Sequence, residues 1–101
     1  GALPNGAAYS ASKAAVATFS ECLRKELAAD NVRVTTLFPG FVDTELFDAF
    51  DDEKKAQFDQ LRKNIEVLVP QNIADVISMV LSLPQHVSIN DIVVRPTKQM
   101  L

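Results

Sequence analysis

The chain has 101 residues, ten basic side chains against thirteen acidic ones, and a hydrophobic fraction of 48%. That length suits one small domain, and the apolar content argues against intrinsic disorder. The charges are mixed, with no Lys/Arg run to bind nucleic acid, and no apolar run approaches the roughly 20 residues of a membrane span.

Residues 1–6 hold two glycines and a proline and read as a loop. From Ala7 to about Ala29 the composition is strongly helical, with Val16, Phe19, Leu23 and Leu27 forming one apolar stripe at three- and four-residue steps. Cys22 lies among these residues and is expected to be a small packed apolar side chain. As the only cysteine it cannot close an internal disulfide, and a cytoplasmic location is expected. Asp30 and Asn31 close the helix with turn-forming side chains.

The β-branched run from Val32 to Phe38 predicts a strand that Pro39-Gly40 stops. A second helical region follows Thr44, where Phe47, Phe50, Phe58, Leu61 and Ile65 keep helical spacing. Asp51, Asp52 and Glu53 interrupt it, which predicts a helical pair or a bent helix. Pro70 suits the first turn of a third helix, with Ile73, Val76, Ile77, Val80 and Leu81 as its buried face and Pro84 beyond its end. A last strand is expected from about Ile89 to Val94. Helix, strand, helices, strand is a piece of an α/β fold, and two strands joined by a helical crossover should lie parallel. Such a sheet is too small to stand alone, so part of a larger domain is expected to be absent.

Tyr9 and Lys13 are four residues apart, which places both side chains on one helix face. A free phenol, with a pKa of about 10, moves protons poorly near neutral pH, and an adjacent ammonium favours its phenolate. The same spacing is common in helices where the lysine is merely solvated. The neighbouring residues separate these readings. Tyr9-Ser10-Ala11-Ser12-Lys13-Ala14-Ala15-Val16 resembles the active-site helix of the short-chain dehydrogenase/reductase family. Pro39-Gly40-Phe41-Val42-Asp43-Thr44 is similar to the family's segment lining the nicotinamide pocket. The helix from Pro70 to Val76 and the segment from Asn90 to Pro96 resemble its closing elements.

The resemblance implies the carboxy-terminal part of a Rossmann-type doubly wound parallel sheet, with residues 45–68 as the substrate-binding lobe. It implies an NAD- or NADP-dependent oxidoreductase, with NADP slightly preferred, acting on a small-molecule alcohol or carbonyl substrate and forming a homo-oligomer at full length. Tyr9 would be the general acid or base. Lys13 would favour its phenolate and hydrogen-bond the nicotinamide ribose. Pro39 and Gly40 would line the cofactor, while the Val42 backbone and the Thr44 hydroxyl hold its carboxamide. Thr44 also suits a helix N-cap. Phe47 and Phe50 are expected to pack or to cover the substrate.

His86 reads as solvated, Ser10 and Ser12 lack an activating partner, and no cluster suggests a metal site. The glycines stand at positions 1, 6 and 40, so the Gly-rich phosphate loop of the family is not in this sequence. Its catalytic serine and asparagine would also lie upstream. An alternative is a complete, non-catalytic helical interaction or oligomerisation module.

Overall fold

The computed structural model describes residues 6–43 and 51–99. Its described residues form two compact units, one built from residues 6–37 with 83–92, the other from residues 38–43 and 51–82 with 93–99. The described elements run α1 (Ala7–Leu27), a 3-10 turn (Ala28–Asp30), β1 (Thr36–Pro39), α2 (Asp52–Asn64), α3 (Pro70–Ser82) and β2 (Asp91–Val94).

In the first unit, α1 follows from its alanines, which have the highest intrinsic helix propensity. Its end is a Schellman-type stop. Asn31 adopts the left-handed conformation (φ 62°, ψ 34°) and its N–H donates to Ala28 O at 3.0 Å. The N–H of Val32 reaches Leu27 O at 3.3 Å, closing the outer ring of the motif. Asparagine tolerates this backbone better than most residues with a Cβ.

Residues 32–35 do not join the strand that their β-branched side chains predict; β1 starts at Thr36. Side-chain bonds take the place of a ladder here. Arg33 Nη1 donates to Leu83 O, Pro84 O and Val87 O at 3.2, 3.2 and 3.1 Å, and Thr35 Oγ1 donates to Ile89 O at 2.7 Å. One guanidinium thereby ties three carbonyls of this connection, of which Pro84 O also accepts from Val87 N at 2.9 Å. Gln85 Nε2 adds a bond to Asn31 O at 2.6 Å.

In the second unit, α2 begins at the acidic triplet; the part of the expected helical pair before it, with Phe47 and Phe50, lies outside the described residues. Asp51 is the N-cap, its side chain accepting from Lys54 N at 2.9 Å, while Asp52 and Glu53 fill the first turn and Arg62 and Lys63 the last. Each charge opposes the nearer end of the helix dipole. Pro70 opens α3 as expected, and Asn72 Oδ1 accepts from Val69 N at 2.9 Å. That contact leaves one fewer orphan donor at the helix start.

β1 and β2 pair as neighbours. Thr36 N donates to Asn90 O at 2.9 Å and Gly40 N to Val94 O at 2.7 Å, so both partners advance in the same direction and the pairing is parallel. Residues 89 and 90, expected in the last strand, precede it.

Among the described residues only Thr36 and Pro96 are fully buried, and the predicted apolar stripes are covered in part: Leu23, Leu27, Phe58, Leu61, Ile65, Ile73, Val76 and Val80 are half-buried. Val16 and Phe19 on α1 are 56% and 66% exposed, and Ile77 and Leu81 on α3 are 47% and 70% exposed. Cys22 is likewise exposed rather than packed. The reason is geometric: an apolar face is buried only against a second layer, and two four-residue strands are too small to provide one.

Arg33→Ala should lower stability by about 1.5–3 kcal/mol, the usual scale for charge-assisted hydrogen bonds, as measured by urea unfolding. An unchanged midpoint would remove Arg33 as the tie on residues 83–87.

Candidate functional site

The residues with expected roles fall into two groups. Tyr9 and Lys13 lie in the first unit, Pro39, Gly40 and Val42 in the second. Thr44, Phe47 and Phe50 lie outside the described residues.

The first group is local to α1. The four-residue spacing brings Lys13 Nζ over the Tyr9 ring, 4.8 Å from its centroid, which is within the range of a cation–π contact. Tyr9 is 63% exposed, so its hydroxyl is on the surface of this unit. Gly6 precedes the helix without a side-chain cap, and no acidic residue occupies the first turn. The positive end of the helix dipole therefore points past Tyr9 without a nearby carboxylate from that turn. Ser12 Oγ donates to Tyr9 O at 2.7 Å, which occupies this hydroxyl locally. His86 is exposed, as its loop position suggests.

The second group is the turn that follows β1. An added Cβ on Gly40 would collide with Gln99 Oε1 and lie 3.0 Å from Pro96 Cδ and 3.2 Å from Arg95 Cα. Glycine at this position has a packing reason inside the chain, besides any closeness to a ligand. Gln99 Oε1 accepts from Phe41 N at 3.0 Å. Beyond it, Leu68 N donates to Phe41 O at 3.0 Å and Leu68 O accepts from Asp43 N at 2.7 Å, forming a parallel bridge between Val42 and Leu68. In such a bridge Leu68 uses the groups on either side of Val42, so the N–H and C=O of Val42 itself point away from Leu68. The backbone thus offers one donor and one acceptor side by side, the complement of a primary amide.

Side chains stiffen the same turn. Asp43 Oδ1 accepts from Arg62 Nη2 at 2.8 Å, and the Phe41 and Phe58 rings meet edge to face with centroids 5.5 Å apart. Arg62 also reaches Asp59 at 3.3 Å. These pairs are too exposed for large individual contributions. Within the same unit an open cleft of about 870 Å³ has Arg62, Glu66, Asp75, Arg95 and Lys98 among its walls. Both signs of charge are present, so the cleft does not select a ligand by charge.

Leu68, Arg62 and Gln99 were invisible as site residues in the sequence. Their partners are 27, 19 and 58 residues away, and no local pattern marks such pairs. The only sequence signal for Gln99 is the proline three residues before it, which starts the turn closed by Gln99 N to Pro96 O at 3.0 Å.

Residues 1–55 match the family model described as short chain dehydrogenase. An uncharacterized oxidoreductase of Staphylococcus aureus (strain N315) is 41% identical over 88 residues, which are 87% of this chain and 34% of the relative. Dehydrogenase/reductase SDR family member 11 of Mus musculus is 37% identical over 94 residues, 91% of this chain and 36% of that protein. The chain thus spans about a third of the length of the curated relatives it matches. Among solved structures, the closed form of a serine dehydrogenase complexed with NADP+ matches with a TM-score of 0.78 and 34% identity, over 95% of this chain and 39% of that one. A betaketoacyl-[ACP] reductase of Bacteroides thetaiotaomicron matches with a TM-score of 0.73 and 32% identity, over 98% and 40%. These neighbours place the strands and helices in the Rossmann-type α/β class.

Gly40→Ala should destabilise by about 1–3 kcal/mol, the cost of overpacking a tight contact. Adding Gln99→Ala should relieve part of that loss, because the nearest clash is with a flexible side chain. A double-mutant cycle in urea checks this, and strictly additive effects would contradict the contact.

Proposed function

This chain belongs to the short chain dehydrogenase family, and on that premise we propose that it is the carboxy-terminal part of an NAD(P)-dependent oxidoreductase interconverting an alcohol and a carbonyl compound. The observation that carries this reading is the Tyr9–Lys13 pair at the exposed start of α1, ammonium over ring at 4.8 Å.

In this reading the Tyr9 hydroxyl gives a proton to the carbonyl oxygen during reduction and takes it back during oxidation. Lys13 keeps a positive charge beside the ring, opposite in sign to the charge that forms on the Tyr9 oxygen as the proton leaves. The helix start adds potential of the same sign. Lys13 also has donors to spare for a ribose hydroxyl. A bound nicotinamide would give the hydride in reduction and take it in oxidation, a chemistry no side chain here can perform. A carboxamide fits the paired donor and acceptor of Val42 in number and type. Pro39 and Gly40 lead the backbone into that turn, and Thr44 is assigned to the same carboxamide. Residues 45–68 serve as the substrate-binding lobe of the same catalytic domain.

The similar serine dehydrogenase structure holds NADP+, which supports NADP over NAD and a small polar alcohol as the substrate. Family membership favours the enzyme over a non-catalytic helical module. A homo-oligomer is the assembly we assign to the full-length protein.

Tyr9→Phe, made in the full-length polypeptide, should lower kcat by about 10²–10⁴-fold and leave cofactor affinity nearly unchanged. Lys13→Ala should lower kcat and also raise the KM for cofactor. Steady-state kinetics with NADP+ and NAD+ over a panel of small alcohols tests both, and turnover by Tyr9→Phe comparable to the parent would remove Tyr9 from its role. A second expectation concerns this 101-residue chain alone, which lacks a Gly-rich phosphate loop. It should bind NADP(H) negligibly, and micromolar binding in titration calorimetry would contradict that.

A further inference from the structure

We propose that Gln99 is a positioning residue for the nicotinamide-facing turn, an inference that rests on the function proposed above. The turn combines two opposing features. Gly40 must lack a Cβ because Gln99, Pro96 and Arg95 approach it so closely. Lacking one, it leaves the peptide group between Gly40 and Phe41 with more rotational freedom than any other residue would. The side chain that forces the glycine also removes that freedom, since Gln99 Oε1 accepts the hydrogen bond of this same peptide, Phe41 N–H, at 3.0 Å.

The consequence reaches Val42. Its neighbours are tied on both sides: Phe41 through Gln99 and Leu68, Asp43 through Leu68 and Arg62. Three of these ties use backbone or charge pairs already set by the Leu68 bridge and by α2. The bond from Gln99 is the tie that fixes the peptide entering the turn. Without it the N–H and C=O of Val42 keep their chemistry but lose their direction, and an amide held by one donor and one acceptor needs both aimed at once.

Gln99 itself is held in place. Its N–H closes a turn on Pro96 O at 3.0 Å, and Pro96 is one of the two buried residues among those described. A half-buried acceptor on a short hydrogen-bonded turn has less side-chain entropy to lose on forming its bond than a free surface glutamine. Gln99 makes no contact with the reacting atoms in this account. It acts through Phe41 and Val42.

The test uses the full-length polypeptide with NADP+ and, in parallel, 2′-phospho-ADP-ribose, which keeps the adenosine and pyrophosphate groups but has no nicotinamide. Gln99→Ala should weaken NADP+ binding about tenfold, the scale of one lost hydrogen bond in a partly buried site, and leave 2′-phospho-ADP-ribose binding at the parent value. Gln99→Glu keeps an acceptor oxygen at the same reach and should restore NADP+ binding. Equal affinity of the Ala variant and the parent for NADP+ would overturn the proposal. So would a parallel loss for both ligands, which would mark Gln99 as a structural support only. If the parent protein binds neither NADP+ nor NAD+, the proposed function has failed rather than the role of Gln99 within it.

Discussion

Backbone N–H and C=O groups that leave regular structure must find partners, and in this chain side chains from distant stretches supply several of them. The guanidinium of Arg33 ties three carbonyls of the irregular connection at residues 83–87, and in the turn after β1 the carboxamide of Gln99 takes Phe41 N–H while Leu68 takes Phe41 O and Asp43 N. The helices follow the same logic at their ends, where Asp51 and Asn72 accept otherwise orphaned N–H groups and Asn31 turns the chain out of α1. Apolar burial is partial by comparison. Phe19 and Leu81 are about two-thirds exposed, each on a helix whose pattern calls for a covered face.

This division bears on function. A turn held by hydrogen bonds to distant side chains can present its own backbone groups in a set direction, which is what recognition of a planar polar ligand needs. Val42 is in that position, bridged to Leu68 through its neighbours while its own donor and acceptor face elsewhere. Tyr9 and Lys13 depend on less. Their contact is made within one helical stretch and follows from spacing alone. Two kinds of functional geometry therefore coexist, one made by local periodicity and one by contacts across 58 positions of sequence.

Each difference from the sequence pattern has its own physical reason. The run from Val32 has strand propensity, yet pairing begins at Thr36, because Arg33 and Thr35 spend their side chains on carbonyls that a ladder would otherwise occupy. Asp51, Asp52 and Glu53 break the hydrophobic spacing, and a helix starts there with its cap and acidic first turn made by these same residues. Cys22 and the α1 stripe read as buried because period-3.6 patterning signals an apolar face; patterning says nothing about whether a second layer is present to cover it.

The sequence by itself determined the α/β order, the limits of α3 at Pro70, the stop near Asn31 and the pairing of Tyr9 with Lys13. Each of these rests on interactions within a few residues, where propensity, capping and helical spacing act directly. Only the tertiary structure decided why position 40 is glycine, what holds Phe41 N–H, and which way Val42 presents its backbone. Those answers depend on residues brought together from separate stretches of chain, and a side chain's reach across such a gap leaves no periodic trace.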